Sequence, residues 1–310
     1  MADTAKYNDL LNRFKGIINL LSDESMKNHT SLKVGGPADL FARPESQNEF
    51  IDILKTASKL NIDVTITGNG TNLLISDKGI RGLVISTSKF TQKITEKETG
   101  PKTFTLTAPS GTRLSSFCQY AMENNLHGLE WAAGIPGTIG GAVAMNAGTP
   151  KGSISEILTG IKTLNNSGDI SEISRDNLEF SYRSLNNLND QFILEASLLL
   201  QSGDINKIRL THMQTLNMKK STQPLSSRSA GCIFKNPASG DPAGKLIDMA
   251  GLKGKKVGDA MVSEKHANFI LNSGNATYEE IINLKQLVEE KIFSLFSVKL
   301  ETEIIIKGEQ

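Results

Sequence analysis

At 310 residues, with 34 Lys and Arg against 33 Asp and Glu, the chain carries a net charge of +1. No broad field then favours nucleic acid or an anionic membrane, and any anion site must be local. Two cysteines and four histidines exclude a disulfide framework and show no zinc-ligand spacing.

The length allows two domains, each with its own core. Residues 1–5 begin no signal peptide, and apolar runs such as residues 198–200 fall far short of a membrane span, so a cytoplasmic protein is expected. Residues 5–21 set Tyr7, Leu10, Leu11, Phe14, Ile17, Ile18 and Leu21 on one helical stripe, which predicts an opening amphipathic helix. A polar segment follows over 28–39 and turns at Gly35-Gly36-Pro37 into a short strand over 40–43; His29 reads as a polar loop residue rather than a catalyst. Ser46 and Glu49 have capping-box spacing ahead of Phe50, Ile53, Leu54, Ala57 and Leu60, which marks a second helix. Residues 63–67 read as a strand. Between it and Leu73-Leu74-Ile75 lies the tight turn Gly68-Asn69-Gly70-Thr71-Asn72.

Strands are expected over 82–85 and 103–108. A helix starting at Thr112 would turn Leu114, Phe117, Cys118, Ala121 and Met122 inward, making Cys118 a core residue. The one tryptophan, Trp131, comes just before residues 134–148, GIPGTIGGAVAMNAG, and is expected to support that loop. The stretch has no charge and too little apolar bulk to build a core. Its glycines let backbone N–H groups approach a ligand closely, which suits a diphosphate; taken alone, it can equally be a set of tight turns between short strands. It is not the Rossmann fingerprint, because Gly134, Gly137 and Gly140 fall three apart with Pro136 among them and no strand-turn-helix pattern frames them. With the turn at 68–72 there are two glycine loops, enough to grip both ends of one diphosphate.

Beyond Gly148, residues 156–164 and 170–174 flank Asn165-Asn166-Ser167-Gly168-Asp169, a hairpin signal, and 191–201 supply another strand. A helical pattern over 204–220 ends at Gln223-Pro224. Thr277 and Glu280 have capping-box spacing ahead of Ile281, Leu284, Leu287, Val288, Ile292 and Leu295, and a last strand is expected over 300–307. Strands and helices mix in both halves, so the class is α+β or α/β rather than a doubly wound sheet.

The turn GNGTNLL followed about sixty residues later by GIPGTIGGAVAMNAG, together with FKNP at 234–237 and AGKLID at 243–248, resembles the UDP-N-acetylenolpyruvoylglucosamine reductases, in their shorter form, and more distantly the vanillyl-alcohol-oxidase type of FAD fold. The resemblance runs from Asn28 to Gly308. It implies an α+β protein: an N-terminal helical segment over 1–27, an FAD-binding domain of the vanillyl-alcohol-oxidase (PCMH) type over 28–205, and a smaller α+β substrate-binding domain over 206–310. It also implies FAD held non-covalently, since neither loop holds a His or Cys. The flavin ligands would be Gly68, Asn69, Gly70, Thr71, Asn72, Leu73, Gly134, Pro136, Gly137, Gly140, Gly141, Ala147 and Gly148.

The implied reaction is reduction of an enol ether with NADPH as hydride donor: flavin N5 delivers hydride to the outer carbon, and negative charge gathers on the carboxylate and the neighbouring carbon. Arg183 matches the family arginine facing flavin and carboxylate. Glu303 matches the carboxyl group that polarises the substrate; alternation along a strand would put Glu301 on the same face, so only motif register selects Glu303. Cys232 stands where the family usually has the serine that gives the final proton. Lys235, Asn236, Lys245 and Gln223 are candidates for the UDP diphosphate, with surface charge as the other reading for the lysines, and His266 either packs or touches substrate. Ile305 and Met218 stand where arginine is common in the family. Small-molecule partners, no nucleic acid, no membrane and a monomer are expected; the competing readings are an oxidase of the wider FAD fold and a flavin-binding protein without turnover.

Overall fold

The structure, a computed structural model, describes residues 2–91 and 93–309. Met1, where the signal-peptide reading and the first expected segment begin, and Gln310, where the last expected domain ends, lie outside the described residues. The chain divides into two compact units. One holds the residues up to Ser22 with Leu40–Asn69 and Gly82–Met218, the other Asp23–Asp39, Gly70–Arg81 and the residues from Lys219 onward. These units are interleaved in sequence, unlike the contiguous ranges 28–205 and 206–310.

In the first unit the long strand Gln191–Ser202 is central. Its alternation buries Leu194, Ala196, Leu198 and Leu200 and leaves Leu199 outward, as period-two side-chain direction requires. The strand pairs antiparallel with Leu158–Asn165 on one side and Thr103–Pro109 on the other; Ile170–Ser174 and Thr95–Gly100 extend the sheet, and Leu126–His127 pairs with the strand's end. The helices Leu114–Glu123 and Ile139–Ala144 complete a core around Leu106, Phe117, Trp131, Val143 and Leu198. Cys118 is buried there, as expected, and Trp131 donates from Nε1 to the Gly128 carbonyl at 2.9 Å. A second core, with Leu10, Phe14, Phe50, Leu54, Leu83 and Phe90, lies under the helix Gln47–Lys59 and the parallel pair Val64–Thr67 and Ile80–Ser86.

The second unit has an antiparallel sheet in the order Ser229–Cys232, Phe269–Asn272, Ala260–Val262, Lys256–Val257, with the helix Tyr278–Phe296 against it. Leu73–Ile75 pairs in parallel with Ile305–Lys307. One core, including Leu32, Leu74, Phe234, Leu246, Ile281 and Val288, joins these elements. Among the described residues, no helix is long and apolar enough to cross a membrane.

Several expected elements shift. The opening helix stops at Phe14, because the chain turns at Gly16 (φ +77°) and re-forms as the strand Asn19–Ser25, leaving Ile17 exposed. The Ser46 box is half made: its hydroxyl accepts from Glu49 N–H, but the Glu49 carboxylate takes the N–H of Glu45. The helix placed at Thr112 begins at Leu114, and residues 154–157 form a helical turn before the strand Leu158–Asn165. The glycine run contains the helix Ile139–Ala144, which its composition does not suggest. Of the strand expected over 300–307, only Ile305–Lys307 is regular. The hairpin at 165–169 and the complete Thr277–Glu280 capping box form as read.

Candidate functional site

In the first unit, the turn after Thr103–Pro109 runs beside the second glycine loop. Gly140 donates to the Ser110 carbonyl (2.9 Å), Ile139 to Thr112 (2.9 Å), and Leu114 to Gly137 (3.1 Å). Contact is close enough that glycine is needed: a Cβ on Gly140 would sit 2.7 Å from Ser110 Cβ, and one on Gly68 would sit 2.5 Å from Thr138 Oγ1. Thr138 caps the short helix by accepting from Gly141 N–H at 3.4 Å. Gly134 and Pro136 lie in the loop leading to it, and Ala147 N–H returns to the Ala142 carbonyl at its end (2.8 Å). Residues 68, 138 and 140 thus belong to one cluster, to which Ser110 and Thr112, passed over in the sequence, also belong.

The hydroxyls of Thr67, Ser110 and Thr112 in this unit are sealed from solvent and have no hydrogen-bond partner among the described residues. Leaving such a group unpaired costs about 1–3 kcal/mol. Together with glycines that admit a ligand to the backbone, they fit a cofactor rich in phosphate, ribose and ring acceptors, as FAD is. The signal in sequence was Ser110-Gly111-Thr112 itself, a small polar turn between strand and helix.

Arg183 is also in this unit. Its backbone is left-handed (φ +63°), uncommon for a non-glycine residue and a pointer toward a functional constraint. Nη1 donates to the Gly148 carbonyl at 2.8 Å, and Asn146 Nδ2 donates to Ser181 O at 3.0 Å. The hairpin carrying Arg183 is therefore tied to the end of the glycine run, and the guanidinium carbon lies 5.1 Å from the centre of the Tyr182 ring.

In the second unit, Cys232 and Glu303 lie on adjacent backbone segments: Glu303 N–H donates to the Ile233 carbonyl at 2.7 Å, and Lys235 N–H to the Glu301 carbonyl at 2.8 Å. Both Cys232 and Glu303 are half-buried. The two glutamates, indistinguishable by alternation, separate here. Residues 301–304 are not regular strand; the Glu301 side chain is 74% exposed, 3.7 Å from Lys235 Nζ. Part of the first glycine loop belongs to this unit: Gly70 packs against the His29 carbonyl, Asn72 Nδ2 donates to the Glu303 carbonyl at 3.2 Å, and Leu73 pairs with Ile305. His29, expected in a loop, instead ends the 3₁₀ turn Met26–His29, with Nε2 2.8 Å from Glu24.

The remaining candidates differ in their commitments. Asn236 Oδ1 accepts from Ala243 N–H at 3.1 Å, so that side chain helps start the helix Ala243–Met249. Lys245 is an exposed ion-pair partner of Asp241 at 2.9 Å. Gln223 N–H closes the last turn of the helix Ile205–Thr222 onto Lys219 O. His266 packs its ring edge-on against Phe269 and accepts from Asn268 N–H at Nδ1 (3.3 Å). Burial pulls its pKa below the ordinary imidazole value, opposed by its backbone hydrogen bond and reinforced by Lys253.

Residues 38–174 match the FAD binding domain family, and residues 223–307 match the UDP-N-acetylenolpyruvoylglucosamine reductase C-terminal domain. A UDP-N-acetylenolpyruvoylglucosamine reductase from Clostridium tetani is 44% identical over 295 residues, spanning 95% of this chain and 94% of its own. The chain belongs to the UDP-N-acetylenolpyruvoylglucosamine reductase family. Another reductase of that name, from Desulfosudis oleivorans, is 40% identical across 93% of this chain and 94% of its own length. The crystal structure of UDP-N-acetylenolpyruvylglucosamine reductase from Thermus caldophilus, at 32% identity, matches with a TM-score of 0.79 over 94% of this chain and 99% of that one. Membership in this reductase family makes the chain an FAD-dependent oxidoreductase of α+β fold, as the paired glycine loops implied.

Proposed function

We propose that the chain reduces the enolpyruvyl ether of UDP-N-acetylenolpyruvoylglucosamine to UDP-N-acetylmuramate, with NADPH as hydride donor, in the cytoplasmic stage of peptidoglycan precursor synthesis. The observation that carries this reading is the hydrogen bond from Glu303 N–H to the Ile233 carbonyl, which sets a carboxyl group and the Cys232 thiol on neighbouring segments. The FAD-binding residues would be the two glycine loops with Thr67, Ser110 and Thr112. FAD held there would supply the hydride chemistry that reduction of the enol ether requires.

The protein's part is charge and proton management. Arg183, permanently cationic and fork-shaped, suits the substrate carboxylate, where charge develops; a donor aimed at such charge contributes about 3–4 kcal/mol where water is excluded. Glu303 polarises the same carboxylate. Cys232 Sγ gives its proton to the carbon next to the carboxylate, and an ordinary thiol, with pKa about 8.5, releases a proton far more readily than a serine hydroxyl. Lys235, close in sequence to Cys232 and only loosely paired with Glu301, is the better lysine for the UDP diphosphate, since Lys245 is engaged with Asp241. Asn236, Gln223 and His266 would act around it through packing and backbone support.

The test separates the half-reactions. In Cys232→Ala, NADPH should bleach the flavin anaerobically as in the parent, while recovery of absorbance on adding the enol ether should slow by roughly 100-fold or more. Cys232→Ser should keep much of the turnover. Full turnover in the alanine variant would refute the proton-donor role.

A further inference from the structure

Asn72 stands in the first glycine loop, where the sequence pattern makes it a flavin ligand, yet its side chain is spent elsewhere: Nδ2 donates to the Glu303 carbonyl at 3.2 Å. Its own carbonyl accepts from Ile305 N–H at 2.9 Å, so Asn72 grips the backbone on both sides of Ile304. From there a continuous ladder crosses the second unit. Glu303 N–H donates to Ile233 O (2.7 Å), and Ile233 N–H donates to Asn268 O (2.8 Å). The buried Asn268 side chain closes the far end, accepting from Phe234 N–H at 3.0 Å and donating to Phe234 O at 2.8 Å. The loop is attached to the Cys232 strand by a second route as well, because the Ser31 hydroxyl lies 3.3 Å from Gly70 O and 2.6 Å from Ser229 O. Residues 301–304 form no regular strand. An isolated antiparallel bridge joins Thr302 to Phe234 and Lys235 N–H donates to the Glu301 carbonyl at 2.8 Å, so the register of Glu303 is set by these bonds together with those of Asn72.

We propose that Asn72 is a positioning residue for Glu303: it sets the height of that carboxyl group relative to Cys232 and so ties the first glycine loop to the proton-transfer pair. The proposal rests on the assignment of Glu303 to the substrate carboxylate. It departs from the flavin-ligand reading in what Asn72 does, and the two give different phenotypes.

The holoenzyme is assayed with NADPH and UDP-N-acetylenolpyruvoylglucosamine in four forms: parent, Asn72→Ala, Glu303→Gln and the double variant. Asn72→Ala should retain FAD and be bleached by NADPH like the parent, but its reoxidation by the enol ether should slow by about 10- to 100-fold, the cost of misplacing a reacting group by around an ångström. In the Glu303→Gln background the same substitution should add less than about twofold, because the two residues act as one unit. If Asn72→Ala does not accumulate as holoenzyme, Asn72→Asp carries the comparison: it has the same shape and can donate to Glu303 O only while protonated, so its deficit should deepen as pH rises.

Loss of FAD from Asn72→Ala with turnover restored by excess FAD would overturn the proposal in favour of a flavin contact. An equal slowing in both Glu303 backgrounds would overturn it in favour of general damage. Parent-like turnover in Glu303→Gln would defeat the assignment of Glu303 itself, and parent-like turnover in Asn72→Ala beside a slow Glu303→Gln would defeat this inference alone.

Discussion

The three unpaired hydroxyls of the first unit make opposite demands on the protein with and without its cofactor. In the FAD-free protein each costs about 1–3 kcal/mol, so Thr112→Val, which keeps the shape and removes the group, should leave the apoprotein as stable or raise its melting temperature. The same variant should release FAD more readily, measured as flavin fluorescence appearing on dilution; tighter retention would remove Thr112 from the cofactor site. His266 gives a pH dependence. Its folded pKa lies below the unfolded value, so the unfolded chain binds more protons through that range: stability is held above the ordinary imidazole value and lost as pH falls through it toward the folded one. Urea midpoints between about pH 8 and pH 5 should therefore slope less in His266→Gln than in the parent. At this scale the sequence singled out Arg183, Cys232 and Glu303 as candidates, because they stand at positions matching motifs of the family. Ser110 and Thr112 left only a weak signal, the small polar turn Ser110-Gly111-Thr112, since a small hydroxyl in a turn looks the same whether it faces water or a sealed site.

Elements were legible where local chemistry decides them and obscure where distant chain does. The capping box needs only Thr277 and Glu280, and it forms with both reciprocal bonds at 3.2 Å. Thr277→Ala should cost about 1 kcal/mol. Glu280→Ala should cost more, because Glu280 also accepts from Asp259 N–H at 3.2 Å; equal urea midpoints for the two variants would deny that second bond any weight. The helix Ile139–Ala144, by contrast, contains two glycines and would not persist on propensity; hydrogen bonds from 137–140 to the Ser110–Leu114 turn hold it, and nothing in its own residues announces them. The Glu301–Glu303 ambiguity has the same origin. Alternation presumes a strand, but residues 301–304 are held by bonds to 233, 235 and 72 rather than by a regular ladder, so one glutamate is exposed and the other half-buried.

At the scale of the whole molecule, the contiguous domains drawn from the sequence differ from the units the chain builds, because the order of motifs along a chain does not show which core each segment joins. Leu32, Val34 and Leu74 lie in the core of the second unit with Phe234, Ile281 and Val288, although some 150 residues or more separate them in sequence. Leu73–Ile75 is also the partner of Ile305–Lys307, and Asn272 Nδ2 donates to Leu32 O at 3.0 Å. Closing such long loops is entropically costly and slow, so the second unit should not assemble from its C-terminal block alone. Residues 219–310 expressed separately would lack those three core side chains and the strand that covers Ile305–Lys307. The fragment is expected to show no cooperative thermal transition and little near-ultraviolet circular dichroism. In the full chain, Leu74→Ala should lower stability by about 2–5 kcal/mol, the usual loss for a fully buried leucine. A fragment that melts cooperatively, or a Leu74→Ala chain with parent stability, would mean that the C-terminal block closes its core without segments 23–39 and 70–81, and that the interleaving serves only to carry the glycine loop to Glu303.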